Sequence, residues 1–386
     1  MVVDTGSSDL IINSPESDLC ATGSCDVYRT YDPSASTSAK WVNDEMQVQY
    51  EVFGLNGSWF QDDITFGENK VPQWSIGSGN SSTSVQNIWG FGFSGYVDGT
   101  PNIPNPDTTL QTIAKAGLTN SASVSIYLNQ TGSPTGSILF GGVDTSLYSG
   151  DLITLPVEQS NGGYDRLAVN LNTVSIKNGN ASISSTTGLP ARVLLDTGNF
   201  DIKLPPSITQ DIYNAFNITQ TFTLGGNDFA FSPCSLADNP QVLSFGFKGV
   251  DITVPMKSLV MSPPDYILKS LGLDPSIIPD GTCLFLVNNV PEELIEAGGL
   301  LYILGGAFLS NAYFVFDQDA EEVGLAQANF NPGPSSIREI AAGKSGLDDL
   351  NGAGSGTPSS SALRPLAGSA PWLVAGTATL GFLLSL

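Results

Sequence analysis

Two copies of one tripeptide could do chemistry together. Asp4-Thr5-Gly6 runs on into Ser7, and Asp196-Thr197-Gly198 runs on into Asn199. Each follows directly on an apolar run, "MVV" in the first case and "VLL" in the second. One such tripeptide is at home in any turn after a strand, where Asp and Gly are favoured. Two, in matching settings, point to a pair of carboxyl groups. A pair can supply what a lone carboxylate cannot: an ionised member to take a proton from water, and a protonated member to give one to an oxygen or a leaving amine. Like charges in contact resist double ionisation, so such a pair holds one proton over a broad acidic range. That proton belongs to the pair and to neither residue alone. Gly6 and Gly198 let the backbone turn tightly and aim N–H groups at the acids. Thr5 and Thr197 can cross-link the two loops, and Ser7 can donate to the outer oxygen of Asp4.

Composition removes the competing chemistries. The 386 residues include no histidine, which excludes a Ser-His-Asp triad, a Cys-His pair and His-ligated zinc. Lys and Arg total 14 against 37 Asp and Glu, for a net charge of −23. A nucleic-acid binder shows a basic face, so nucleic acid is not an expected partner. Without histidine, the fold is expected to change charge little between pH 5 and 8, and a low-pH workplace fits the acidic balance. Four cysteines, Cys20, Cys25, Cys234 and Cys283, allow three pairings. Pairing of sequence neighbours is the economical one, and the absence of any CxxC makes zinc a poor alternative. Sequons at Asn56, Asn80, Asn129, Asn180 and Asn217 join the cysteines in favouring the secretory route.

The elements that would position these acids are mostly strands. "MQVQYEVFG", "SVSIYLN", "SILFGGV", "RVLLD" and "AYFVFDQ" read as strands. "TTLQTIAKAG" and "SITQDIYNAF" read as short helices. Downstream of each DTG stands an apolar-apolar-Gly element, "IWG" ending at Gly90 and "ILG" ending at Gly305. The same two marks in the same order suggest duplicated lobes. Past residue 332 the chain becomes rich in Gly, Ser, Ala and Pro, and residues 333–371 read as a flexible stalk. The apolar stretch 372–386 completes the pattern of a GPI-attachment signal, with the attachment residue near Ser359 or Ser360, or at Asn351. Two weaker signals count for little. "GFGFSG" matches a dinucleotide-binding loop but is followed by Pro and Gly where a helix is required. "DQDAEEV" lacks the spacing of a calcium loop and reads as a solvated hairpin turn.

The ordered series "DTGSSDL", "CATGSC", "VQY", "GFGF", "SVSIYLN", "ILFGGVDTSLYSG", "VLLDTG" and "YILGGAFLSNAYFVFDQDAEEVGLAQ" resembles the pepsin-like aspartic endopeptidases, above all the fungal surface-attached branch. The resemblance covers about residues 2–329. It implies a mainly β, bilobal fold: two pseudo-twofold-related lobes, residues 1–157 and 158–332, with a central cleft. It further implies catalysis by Asp4 and Asp196 on polypeptide substrates at acidic pH, with Thr5, Gly6, Ser7, Thr197, Gly198 and Asn199 in support. Tyr50 on a flap over the cleft, disulfides Cys20–Cys25 and Cys234–Cys283, no cofactor or metal, and a monomer are also implied. Localisation would be extracellular, on a membrane through the GPI anchor. Family members begin a few dozen residues before the first DTG, so Met1 reads as a truncated start. Several positions depart from the family pattern. Ile11 stands for a tryptophan that supports the flap tyrosine, Asn199 for Ser or Thr, Gly306 for an aspartate and Asn87 for a glycine, and the flap tip is altered. They motivate a rival reading, a catalytically silent surface protein that binds peptides or wall components.

Overall fold

The computed structural model describes residues 1–350 apart from 24, 26–28, 51–52, 94–106, 131–132, 134, 161, 179–180, 186, 225–226, 264–273, 275, 277, 291–294, 296–300, 344–345 and 348–349, and also residues 374–375. Asn180, the end of "GFGFSG", the candidate attachment residues and nearly all of the apolar tail lie outside the described residues.

The chain is mainly β, and its two halves use one strand plan twice. In the first half, Val2–Asp4 runs parallel to Ile88–Gly90, whose other edge pairs antiparallel with Leu10–Asn13. In the second, Ala191–Leu195 runs parallel to Tyr302–Leu304, whose other edge pairs antiparallel with Ile202–Leu204. The DTG loop in each half therefore steps over the end of an inserted strand. That step explains the glycine closing each apolar-apolar-Gly element. A Cβ on Gly90 would collide with the backbone of Ser8 and Asp9, and one on Gly305 with the backbone of Asp201 and Asn199. Only a residue without a side chain lets the loop cross so closely.

The expected strands and helices form. "SVSIYLN" gives Ser123–Tyr127, "RVLLD" gives Ala191–Leu195 and "AYFVFDQ" gives Ala312–Asp317. The helix Thr109–Lys115 starts on a capping box between Thr108 and Gln111. The helix Pro206–Phe216 ends on Asn217 in the left-handed conformation, a common stop for a helix. Both disulfides join sequence neighbours, Cys20–Cys25 and Cys234–Cys283.

A third sheet knits the halves together. Ser123–Tyr127 of the first half pairs antiparallel with Ala312–Asp317 of the second, flanked by Glu322–Ala328 and Tyr148–Pro156 on one side and Ser137–Phe140 on the other; residues 374–375 pair with Ser137–Phe140. Alternation along these strands sends Val124, Ile126, Phe314, Phe316 and Leu325 into the main core. Tyr127, Tyr313, Val315 and Ala326 face the opposite side.

That opposite side is covered by the first part of the segment read as a stalk, and up to Leu350 the structure departs from the sequence reading; residues 351–371 lie outside the described residues. Packed residues occur as far as Leu350. Ser335 Oγ and the Ser336 N–H donate to Asp144, and Ile337–Glu339 pairs antiparallel with Gly142–Asp144. Ile340, Leu347 and Leu350 are buried against Tyr127, Val143 and Tyr313. Arg338 Nη1 closes the strap by donating to the Leu350 carbonyl at 2.6 Å. Composition suggested a flexible spacer, but a few spaced apolar side chains meeting an uncovered apolar face decide the outcome. The hairpin turn at "DQDAEEV" forms as expected, yet its first residue is not solvated: Asp317 is 0% exposed. Among the described residues, no helix is long and apolar enough to cross a membrane.

Candidate active site

Each DTG loop begins where a parallel strand delivers its aspartate to the loop, and the two loops then lock to one another. The Thr5 N–H donates to Thr197 Oγ1 at 3.1 Å, and the Thr197 N–H donates back to Thr5 Oγ1 at 3.0 Å. Each hydroxyl spends its own proton on the other half's backbone: Thr5 Oγ1 on the Leu195 carbonyl and Thr197 Oγ1 on the Val3 carbonyl, both at 2.7 Å. The four bonds cross between chain segments about as far apart as the sequence places the two motifs. They fix the loops face to face.

The glycines bring the carboxylates into one space. The N–H of Gly6 donates to Asp4 Oδ1 and that of Gly198 to Asp196 Oδ1, each at 2.8 Å. Each glycine also abuts the acid of the other half. A Cβ on Gly6 would lie 2.7 Å from the Asp196 Cγ. One on Gly198 would lie 2.8 Å from the Asp4 Cγ and 3.1 Å from Asp196 Oδ1. Alanine at either position would thus drive a methyl group into the carboxylates. Asp4 is 6% exposed, while Asp196 and both glycines are partly exposed, so the pair lies at a surface that water can reach.

The outer partners of the two acids differ. Ser7 is buried and its Oγ donates to Asp4 Oδ2 at 2.5 Å. Tyr50 hydrogen-bonds Ser7 in turn; burial, with the Asp4 and Asp9 carboxylates nearby, pushes its phenol well above the ordinary value. Ile11, in place of a supporting tryptophan, is fully buried with Met46, Val48, Phe53, Leu55, Trp59 and Ile88. The ring of Tyr50 instead rests on Phe53, with centroids 4.6 Å apart. Asn199, the counterpart of Ser7, accepts at its side-chain oxygen from the Asp201 N–H at 3.2 Å, and its carbonyl accepts from the Gly306 N–H at 2.7 Å. Asn87 is buried and accepts from the Asn13 N–H at 2.9 Å.

Sequence reasoning missed two neighbours of the site, and one buried acid in the sheet between the halves. Arg166, in the link ahead of the strand Ala168–Leu171, sends Nη1 to within 3.4 Å of the Gly6 carbonyl. Burial pulls its guanidinium down to about 9, against the pull of Asp196 and Asp4. Asp9, two residues past Ser7, is pushed up to about 6 by burial, partly offset by a hydrogen bond from Ser8. Burial likewise raises Asp317 to about 6. These two acids correct the expectation that little titrates between pH 5 and 8, because composition counts carboxyls without showing which are desolvated. No signal in the chain marked Arg166. Among the described residues, no group of three or more His, Cys, Asp or Glu is arranged to hold a metal ion.

A family model described as "Eukaryotic aspartyl protease" matches residues 1–328. The chain is 34% identical over 360 residues to "Probable aspartic-type endopeptidase opsB" of Aspergillus oryzae, an alignment covering 89% of this chain and 68% of that protein. Against the Aspergillus fumigatus protein of the same name the identity is 33% over 357 residues, covering 89% and 68%. Against "Secreted aspartic protease 3" of Candida albicans it is 31% over 340 residues, covering 86% and 76%.

Proposed function

Because the chain belongs to the eukaryotic aspartyl protease family, we propose that it is an aspartic endopeptidase in which Asp4 and Asp196 share one proton and activate a single water. The observation that carries this reading is the reciprocal packing of the loops, in which each glycine presses on the other half's carboxylate. The ionised member takes a proton from the water as its oxygen attacks the peptide carbonyl. The protonated member donates to the carbonyl oxygen, and a proton then passes to the leaving amine. Thr5, Gly6, Thr197 and Gly198 hold the two acids in register, Ser7 orients Asp4, and Asn199 stabilises the second loop. Tyr50, tied to Ser7, closes over an extended peptide.

Acidic pH suits both the shared proton and the buried acids Asp9 and Asp317, which favour the folded state only while protonated. An extracellular, GPI-anchored and glycosylated protein, acting as a monomer with no nucleic-acid partner, is supported by the two disulfides, the sequons and the composition of the tail. Lobes at 1–157 and 158–332 with a tail from 372 belong to the same reading. Purified full-length protein should cleave a peptide library near pH 4, a statine-type inhibitor should suppress the cleavage, and Asp4→Asn or Asp196→Asn should abolish it. Peptide binding without cleavage would favour the silent binding protein. Release from cells by a phosphatidylinositol-specific phospholipase would test the anchor.

A further inference from the structure

A cation lies between the two loops. The Leu195 N–H donates to the Leu167 carbonyl at 2.9 Å, which pins the residue after Arg166 to the residue before Asp196. From that anchor the Arg166 side chain reaches the other half, where Nη1 approaches the Gly6 carbonyl at 3.4 Å. It is partly buried, so its field is not screened as a surface charge would be. The nearby charges are not equivalent. Asp196 and Asp4 attract it, and Arg192 opposes it. Arg192 is itself engaged, with Nη2 on Asp165 at 2.7 Å and Nε on the Glu158 carbonyl at 3.3 Å. Asp4 and Asp9 also act on Tyr50 as nearby negative charges.

We propose that Arg166 is a positioning residue whose fixed charge sets the pH window in which the Asp4–Asp196 pair is singly ionised. The proposal rests on the dyad reading. A positive charge beside paired acids favours each ionised form over the form with one more proton. Both limbs of a bell-shaped pH profile therefore lie at lower pH than they would without it. The guanidinium keeps its charge through the acidic range, since burial lowers it only to about 9. The contact with Gly6 serves a second end: it holds the cation over the loop junction, so the charge acts on both acids at once.

The test is the pH dependence of kcat/KM for the full-length protein and three variants on one peptide. Arg166→Met removes charge and donor, Arg166→Gln removes the charge but keeps a donor, and Arg166→Lys keeps the charge. With Met or Gln, both limbs should move to higher pH by about one unit, and with Lys by about a third of that or less. A purely structural role would lower kcat or the melting temperature without moving the limbs. Should Arg166→Met not fold, the Gln and Lys variants carry the comparison alone. Limbs unmoved in folded Arg166→Gln, with Asp4→Asn inert in the same assay, would overturn the role of Arg166 alone. Substantial cleavage by Asp4→Asn would overturn the dyad and this proposal with it.

Discussion

The two DTG loops share a skeleton and differ in their surroundings. Strand, loop, returning strand and closing glycine match between the halves, and the threonine bonds are reciprocal to within 0.1 Å, 3.1 against 3.0 Å. Beyond that frame the symmetry ends. Asp4 is buried and receives the Ser7 hydroxyl, which Tyr50 engages from above. Asp196 is more exposed, its loop continues into an asparagine whose side chain accepts from the Asp201 N–H, and the Arg166 link is pinned beside it. Duplication supplies two equal carboxyl groups in register. Unequal neighbours make the two carboxyl groups chemically distinct.

The strongest way to break the comparison is at the acids. Asp4→Asn and Asp196→Asn should each lower kcat by about a thousandfold or more with little change in melting temperature. A loss confined to one of them would refute a working pair. Next are the threonines. Thr5→Val and Thr197→Val should each cost about 1–3 kcal/mol in chemical denaturation, since each strands a carbonyl and an N–H of the opposite loop. The double variant should cost less than the two singles together, because they break one network. The outer partners should then diverge: Ser7→Ala lowers kcat/KM about tenfold, whereas Asn199→Ala lowers it less than about threefold. Equal losses would erase the asymmetry.

The comparison also bears on stability against pH. Asp9 rises from an ordinary 3.8 to about 6, so its contribution is full below about pH 4. It is lost as pH climbs through about 6, because the unfolded chain ionises first. Asp9→Asn should flatten the fall in unfolding free energy between about pH 4 and 7 by about 3 kcal/mol, and an unchanged slope would remove Asp9 as the cause.

Much of this was readable from residue types. Asp4 and Asp196 were marked by a repeated tripeptide after repeated apolar runs, Gly90 and Gly305 by their place after two apolar residues, and the disulfides by the proximity of the cysteines in sequence. These features are local, and local pattern reports local conformation. What escaped depends on distant chain meeting. Arg166 acquires meaning only because the Leu167 carbonyl is bonded beside Asp196 and Gly6 comes across from the other half. Asp317 reads as a surface acid until the segment after Ile340 covers it, bringing Gly346 close to its Oδ2.

The strap over the interlobe sheet limits where this domain can be cut from its tail. Cleavage in the short run around Gly333, the obvious target by composition, would strip Ile340, Leu347 and Leu350 from Tyr127 and Tyr313. The fragment would carry a bare greasy back and adhere to its own copies. A cleaved form that keeps this face covered has to be severed beyond Leu350.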